Sequence, residues 1–243
     1  MDQHSEGPIA AIQPEADARE EARVLSVLVE ACVDSVDAAR VAEQAGARRL
    51  ELCENLDVGG TTPSSELLGA VRAAVRIPIS VMVRPRGGSY VHPQSELEVM
   101  RQHIDRARDL GADMIVIGVL TETGAIDLPA VRELVARAGS LPVTFHRAFD
   151  EVDDQLAAID QLIDAGVARV LTSGGAPTAL DGAERLHALV ERAAGRLVVM
   201  AGGRVRPANA RALVARSGVA EVHARSELDE LRVRGIVEAV ATR

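Results

Sequence analysis

Two short apolar runs carry a glutamate and a cysteine two residues apart: Glu30-Ala-Cys32 and Glu51-Leu-Cys53. Side chains alternate along an extended chain, so Glu30 shares a face with Cys32, and Glu51 with Cys53. If the runs are neighbouring parallel strands, residues at matched height lie about 4.8 Å apart. Two thiolates at that spacing can clamp one soft ion, and Cu(I) is the ion thiolates favour. The same closeness permits a disulfide if the side chains point together. Two small buried hydrophobes are the ordinary fate of free cysteines. A zinc site needs more nitrogen or sulfur ligands than two thiols supply.

Acid–base candidates stand beside them. Glu30 and Glu51 can give or take a proton, and His146, within Thr144-Phe-His146-Arg147-Ala-Phe-Asp150, is the natural general acid/base by residue type. His223 closes another apolar run, whereas His4, His92, His103 and His187 read as leader, loop or helix-surface residues. Arg84, Arg86, Arg147 and Arg204 suggest an anionic ligand, with Asp150 beside Arg147. Two turns, Ser173-Gly174-Gly175 and Gly202-Gly203, offer backbone N–H groups to such an anion. The plainer alternative pairs Glu30 or Glu51 with Arg84 in a buried ionic layer.

Composition removes other chemistry. All 27 basic side chains are arginine. Without lysine there is no Schiff base and no Walker-type phosphate lysine. Tyr90, Phe145 and Phe149 are the only aromatic residues apart from histidine, too few for a platform that stacks single-stranded nucleic acid. A net charge of −9 disfavours DNA and anionic membranes. Two cysteines are too few for a secreted disulfide scaffold. The chain lacks an apolar run near the roughly 18 residues of a membrane helix, and its N-terminus lacks a signal-peptide pattern. Together these features point to the cytoplasm.

The elements that must position these groups repeat along the chain. Apolar runs at Leu25–Cys32, Arg49–Cys53, Ile79–Arg84, Met114–Gly118, Val143–His146, Arg169–Thr172, Leu197–Ala201 and Glu221–His223 alternate with amphipathic segments. Those segments cover 36–45, 64–75, 94–109, 127–138, 153–164, 178–193, 207–216 and 227–240. Eight such units predict a TIM (β/α)8 barrel, one domain over 24–243, behind a flexible leader at 1–23. A doubly wound sheet is the alternative, but no G-x-G-x-x-G follows the first strand. In a barrel the strand C-termini carry function, and that is where all the candidates fall.

The stretches Glu30 to Ser35, Glu51 to Cys53 leading to Gly59-Gly60-Thr61-Thr62-Pro63-Ser64, Val81 to Gly88, Thr144 to Asp150, Leu171 to Gly175, and Gly202-Gly203 together resemble the CutC-type copper homeostasis family. The resemblance covers about 24–225. It implies a cytoplasmic TIM barrel, Cu(I) held by Cys32 and Cys53, and a homodimer. Two departures stand out: a shortened stretch after Arg225-Ser226, and Ala201 in place of an expected proline. The competing expectation is an enzyme acting on a small anionic metabolite, phosphorylated ones included, through Glu30, Glu51 and His146. Arg84, the glycine-rich turns and His223 would then hold the ligand.

Overall fold

The computed structural model describes residues 27–225 and 229–241; the leader assigned to 1–23 lies outside them. Eight parallel strands close into a barrel. They are β1 (Leu28–Val33), β2 (Arg49–Leu52), β3 (Ile79–Met82), β4 (Met114–Ile117), β5 (Val143–Phe145), β6 (Arg169–Thr172), β7 (Val198–Gly202) and β8 (Glu221–Arg225). A helix follows each strand: α1 (Val36–Gln44), α2 (Ser65–Ala74), α3 (Gln94–Asp109), α4 (Leu128–Ala138), α5 (Gln155–Asp164), α6 (Ala183–Ala193), α7 (Pro207–Ser217) and α8 (Glu230–Ala241). Pairing of β1 with β8 completes the ring.

Local sequence explains these boundaries. Ser35, Ser64, Asp127 and Asp154 each accept a hydrogen bond from a backbone N–H in the first turn of α1, α2, α4 and α5. Pro207 opens α7, where its missing N–H costs nothing. The outward faces of the strands and the inner stripes of the helices form an aliphatic shell, in which Phe145 and Phe149 are fully buried.

Inside the ring the lower half is ionic. Arg49 is buried and donates to Glu30, to Glu221 and to the Met200 sulfur (3.1 Å). Arg169 donates to both Glu221 oxygens (2.6 and 3.2 Å) and to Thr144 Oγ1 (3.4 Å). Ser80 adds a hydroxyl to Glu30 (3.3 Å). Arg49–Glu221, Arg49–Met200, Arg169–Glu221 and Ser80–Glu30 join strands that are not neighbours, so these side chains fill the barrel axis. TIM-barrel interiors are normally apolar. Two arginines and two glutamates are tolerated here because each charge meets an opposite one. The ionic layer anticipated from the sequence therefore exists, but its cations are Arg49 and Arg169, and Arg84 takes no part in it.

Candidate functional site

Above the ionic layer the C-terminal mouth opens into a cavity of about 570 Å³, walled by Cys32, Glu51, Arg84, Tyr90, His146 and His223 and rimmed by Arg147, Arg204, Arg206 and Arg225. Strand register decides how the floor is arranged. Cys32 is level with Glu51, not with Cys53, and Cys53 extends the ladder one residue past β2 through its N–H to Val33. The thiols are thus not at matched height. Their sulfurs still converge to 4.0 Å, and Cys53 Sγ lies 3.5 Å from Glu51 Oε2. A two-residue offset leaves the Cα atoms about 8 Å apart on ordinary strand spacing and rise. That exceeds the roughly 7 Å a disulfide tolerates without backbone movement. The loop after β2 keeps this corner tight: Gly60 has φ +88, and a Cβ there would meet Cys53 Sγ at 3.2 Å.

The floor is an electrostatic chain. His223 Nδ1–H donates to Glu30 (2.8 Å), and its Nε2 lies 3.8 Å from Glu51. Burial alone would depress the basicity of His223; Glu51, Cys32 and Glu30 overcome it and hold the ring as an imidazolium. Burial works against ionisation of Glu30 as well, but Arg49 and His223 keep it a carboxylate. Glu51 behaves differently from Glu30. Burial, aided by the charges on Cys32 and Glu30, pushes its pKa well above the usual range despite His223. Its Oε1 has no hydrogen-bond partner. Cys32 is driven toward the thiolate by the hydrogen bond from Cys53 and by His223, against burial, and Cys53 is driven toward the thiol. Possible ligand atoms of Cys32, Glu51 and Cys53 all lie within 4.8 Å of one another, as do those of Glu30, Glu51 and His223. Two metal–sulfur bonds of about 2.3 Å span up to about 4.6 Å. One soft ion can therefore reach both thiols.

The wall formed by Arg84, Tyr90 and His146 has different chemistry. Arg84 Nη1 donates to the carbonyls of Val58 and Gly60 (both 3.1 Å), and Nη2 to that of Gly88 (2.8 Å). No carboxylate among the described residues pairs with it, and its Nε has no partner. Its guanidinium lies over the Tyr90 ring at 4.9 Å. His146 caps a short 3-10 turn, Arg147–Glu151, by accepting the Ala148 N–H on Nδ1 (3.1 Å). The ring proton is therefore on Nε2, which also has no partner. Burial, then the nearby Arg84 charge, holds the His146 pKa down to about 3. The residue chosen from sequence as acid/base is a neutral hydrogen-bond donor at physiological pH. Its ring packs against Gly118, where a Cβ would come within 2.1 Å. That glycine, directly after β4, was the unread signal for the ring's position. His92 is likewise no surface loop residue: it is buried, with Nδ1 on Glu96 (2.7 Å) and Nε2 unpartnered.

The first glycine-rich turn does not serve as an anion cradle. Asp150 accepts from Thr172, from the Ser173 N–H (3.0 Å) and hydroxyl (3.1 Å), from the Gly175 N–H (3.2 Å) and from Arg147 (2.8 Å). Gly174 N–H donates to Thr172 Oγ1 (2.9 Å). The protein's own carboxylate fills the position expected for a ligand, and Ser173, Gly174 and Gly175 lie off the cavity wall. In the second turn Gly202 is buried at the end of β7, and Gly203 lines the cavity.

The sequence model of the CutC family matches residues 27–228. A human protein named copper homeostasis protein cutC homolog is 48% identical over 204 residues, covering 83% of this chain and 75% of that protein. A CutC family protein of Xylella fastidiosa is 45% identical over 200 residues, covering 82% of this chain and 75% of that protein. The crystal structure of the putative copper homeostasis protein CutC from Streptococcus agalactiae matches with a TM-score of 0.78 at 36% identity, covering 81% of this chain and 97% of that one.

Proposed function

The chain belongs to the CutC family, and from that membership we propose that it is a copper homeostasis protein whose cargo, Cu(I), is taken up between Cys32 and Cys53. The observation that carries this reading is the 4.0 Å separation of the two sulfurs on a floor where Cys32 is already biased to thiolate. Soft thiolates suit Cu(I) over harder ions. Two thiolates and one Cu(I) carry a single negative charge, and the His223 imidazolium beside them supplies its counter-charge. Glu51, whose Oε1 has no other partner, is the third donor within reach. Competition for Cu(I) against a chromophoric chelator, under anaerobic reducing conditions, tests the assignment. Wild type should bind one equivalent. Cys32→Ser and Cys53→Ser should each weaken binding by more than about a hundredfold, beyond what losing a supporting contact costs. Unchanged stoichiometry and affinity in both variants would sink it. The same reading has the protein act in the cytoplasm as a homodimer, which sedimentation can check.

A second reading is supported by the size of the cavity. About 570 Å³ is far more than an ion occupies, and Arg84 in its wall has no carboxylate partner. On this reading a small anionic molecule enters, and any proton transfer falls to Glu51 and His223 rather than His146. A thermal-shift screen of small anionic metabolites in which nothing stabilises the protein would count against it.

A further inference from the structure

We propose that Arg84, His146 and Tyr90 form a carboxylate-binding subsite, so that the molecule the cavity accepts is a small organic acid. This rests on the second reading above and is independent of the thiols. An arginine has five N–H bonds. Three loop carbonyls take three of those of Arg84. What remains is the Nε–H and one N–H on Nη2. Those two nitrogens form an edge of the planar fork that matches the two oxygens of a carboxylate. A third unused donor, His146 Nε2–H, belongs to the same wall. Arg84 and His146 both contact the Tyr90 ring, with separations of 4.9 and 5.0 Å. Arg84 and His146 are each only 4% exposed, so water does not satisfy them freely. Buried donors left unpaired are costly, which points to a partner supplied from outside the chain.

The charge count selects the class of anion. Arg84 brings one buried positive charge without a carboxylate partner, and His146 brings a dipole but no charge. Arg147 at the rim is already matched by Asp150 at 2.8 Å. A single carboxylate is neutralised by Arg84 at this depth, where His223 is committed to Glu30 and Glu51; the second charge of a phosphate dianion would have to be met from the rim, by Arg204 or Arg206. The turn that might have cradled a phosphate through its backbone is filled by Asp150. The subsite is also fixed in shape: the loop carbonyls and Tyr90 hold the guanidinium, and Gly118 with the Ala148 N–H holds the imidazole.

Titration calorimetry on the full chain, with pyruvate, glycolate and succinate as probes, tests the proposal. Inorganic phosphate, methyl phosphate and the neutral lactamide serve as controls. At least one of the three acids should bind saturably, at least about tenfold tighter than every control, and His146→Phe should weaken it by at least about tenfold. Arg84→Gln should do the same. Because that change also unties three loop carbonyls, a second readout leaves the loop intact. In wild type labelled with ¹⁵N-histidine, the Nε2 resonance assigned to His146 by its loss in His146→Phe should shift as the acid saturates. Phosphates binding as tightly as the acids would overturn the carboxylate class and leave the anionic reading standing. Binding by none of the anions would overturn both. An acid that binds without moving the His146 resonance, and equally well to His146→Phe, would overturn the subsite.

Discussion

Replacing Gly118 by alanine should displace His146, and the size of the effect follows from the contacts. The added Cβ would sit 2.1 Å from Cε1, 2.3 Å from Nδ1 and 2.8 Å from Nε2 of the imidazole. An ordinary contact between carbon atoms is about 3.5–4.0 Å, so the ring must recede by about 1.4 Å or more. It is hemmed in by Tyr90, with ring centroids 5.0 Å apart, and by Phe145 at 6.1 Å. Overpacking of this kind costs about 1–3 kcal/mol. Moving the ring also breaks the Nδ1 hydrogen bond that caps the 3-10 turn, adding about 1 kcal/mol. In a His146→Ala background the obstacle is gone. Gly118 does not adopt a positive φ, so alanine fits its backbone. There it should stabilise the fold by up to about 1 kcal/mol through the unfolded chain. The sign of Gly118→Ala is thus expected to reverse between the two backgrounds. Urea unfolding of wild type, both single variants and the double variant gives the coupling directly. An equal loss in both backgrounds would refute the contact with the imidazole as the reason for glycine.

Acid should destabilise the protein through the same residue. Between pH 6.5, the ordinary histidine value, and about 3, the unfolded chain takes up a proton that native His146 does not, so stability falls as pH drops through that window. The full effect is on the order of several kcal/mol. His146→Gln should flatten this slope in chemical unfolding measured across the range. Arg49→Met should leave Glu30 with His223 and Glu221 with Arg169 as their remaining charge partners, and cost about 3–5 kcal/mol in urea unfolding. Asp150→Ala frees the Ser173 and Gly175 N–H groups together with Arg147. A loss of about 2–4 kcal/mol is expected from thermal unfolding, with Asp150→Asn in between.

Much of this arrangement was legible before any coordinates. Runs of β-branched residues and capped amphipathic segments determine the barrel, and the predicted elements match the observed ones to within a few residues. Strand-end position alone brought Cys32, Cys53, Glu51, His146 and His223 to one mouth. Side-chain partnership was less readable, because it depends on register and on loops. A two-residue offset between β1 and β2 puts Cys32 beside Glu51, and nothing in the sequence states that offset. Arg49 opens β2 as an unremarkable basic residue; only closure of the ring, with Glu221 on β8 coming round beside it, makes it the centre of an ionic layer. Asp150 lies 25 residues before Gly175, so its capture of that turn's N–H groups is a tertiary event. Arg84 binds carbonyls because the loop after β2 folds over β3, a path fixed by the Glu54–Thr61 bridge and by Thr62 on the Arg84 N–H.

The ionic layer beneath the floor has a consequence for how the mouth responds to its surroundings. His223 touches Glu30, Glu30 touches Arg49, Arg49 touches Glu221, and Glu221 touches Arg169. This chain runs down the axis of the barrel, where mobile ions do not enter. Salt screens charges that face water, over about 10 Å at 0.1 M, and leaves buried pairs largely untouched. The ion pairs beneath Cys32, Glu51 and His223 are therefore set by the scaffold, while the arginines at the rim remain exposed to the medium. One end of the cavity keeps its character across changes of ionic strength that the other end feels at once.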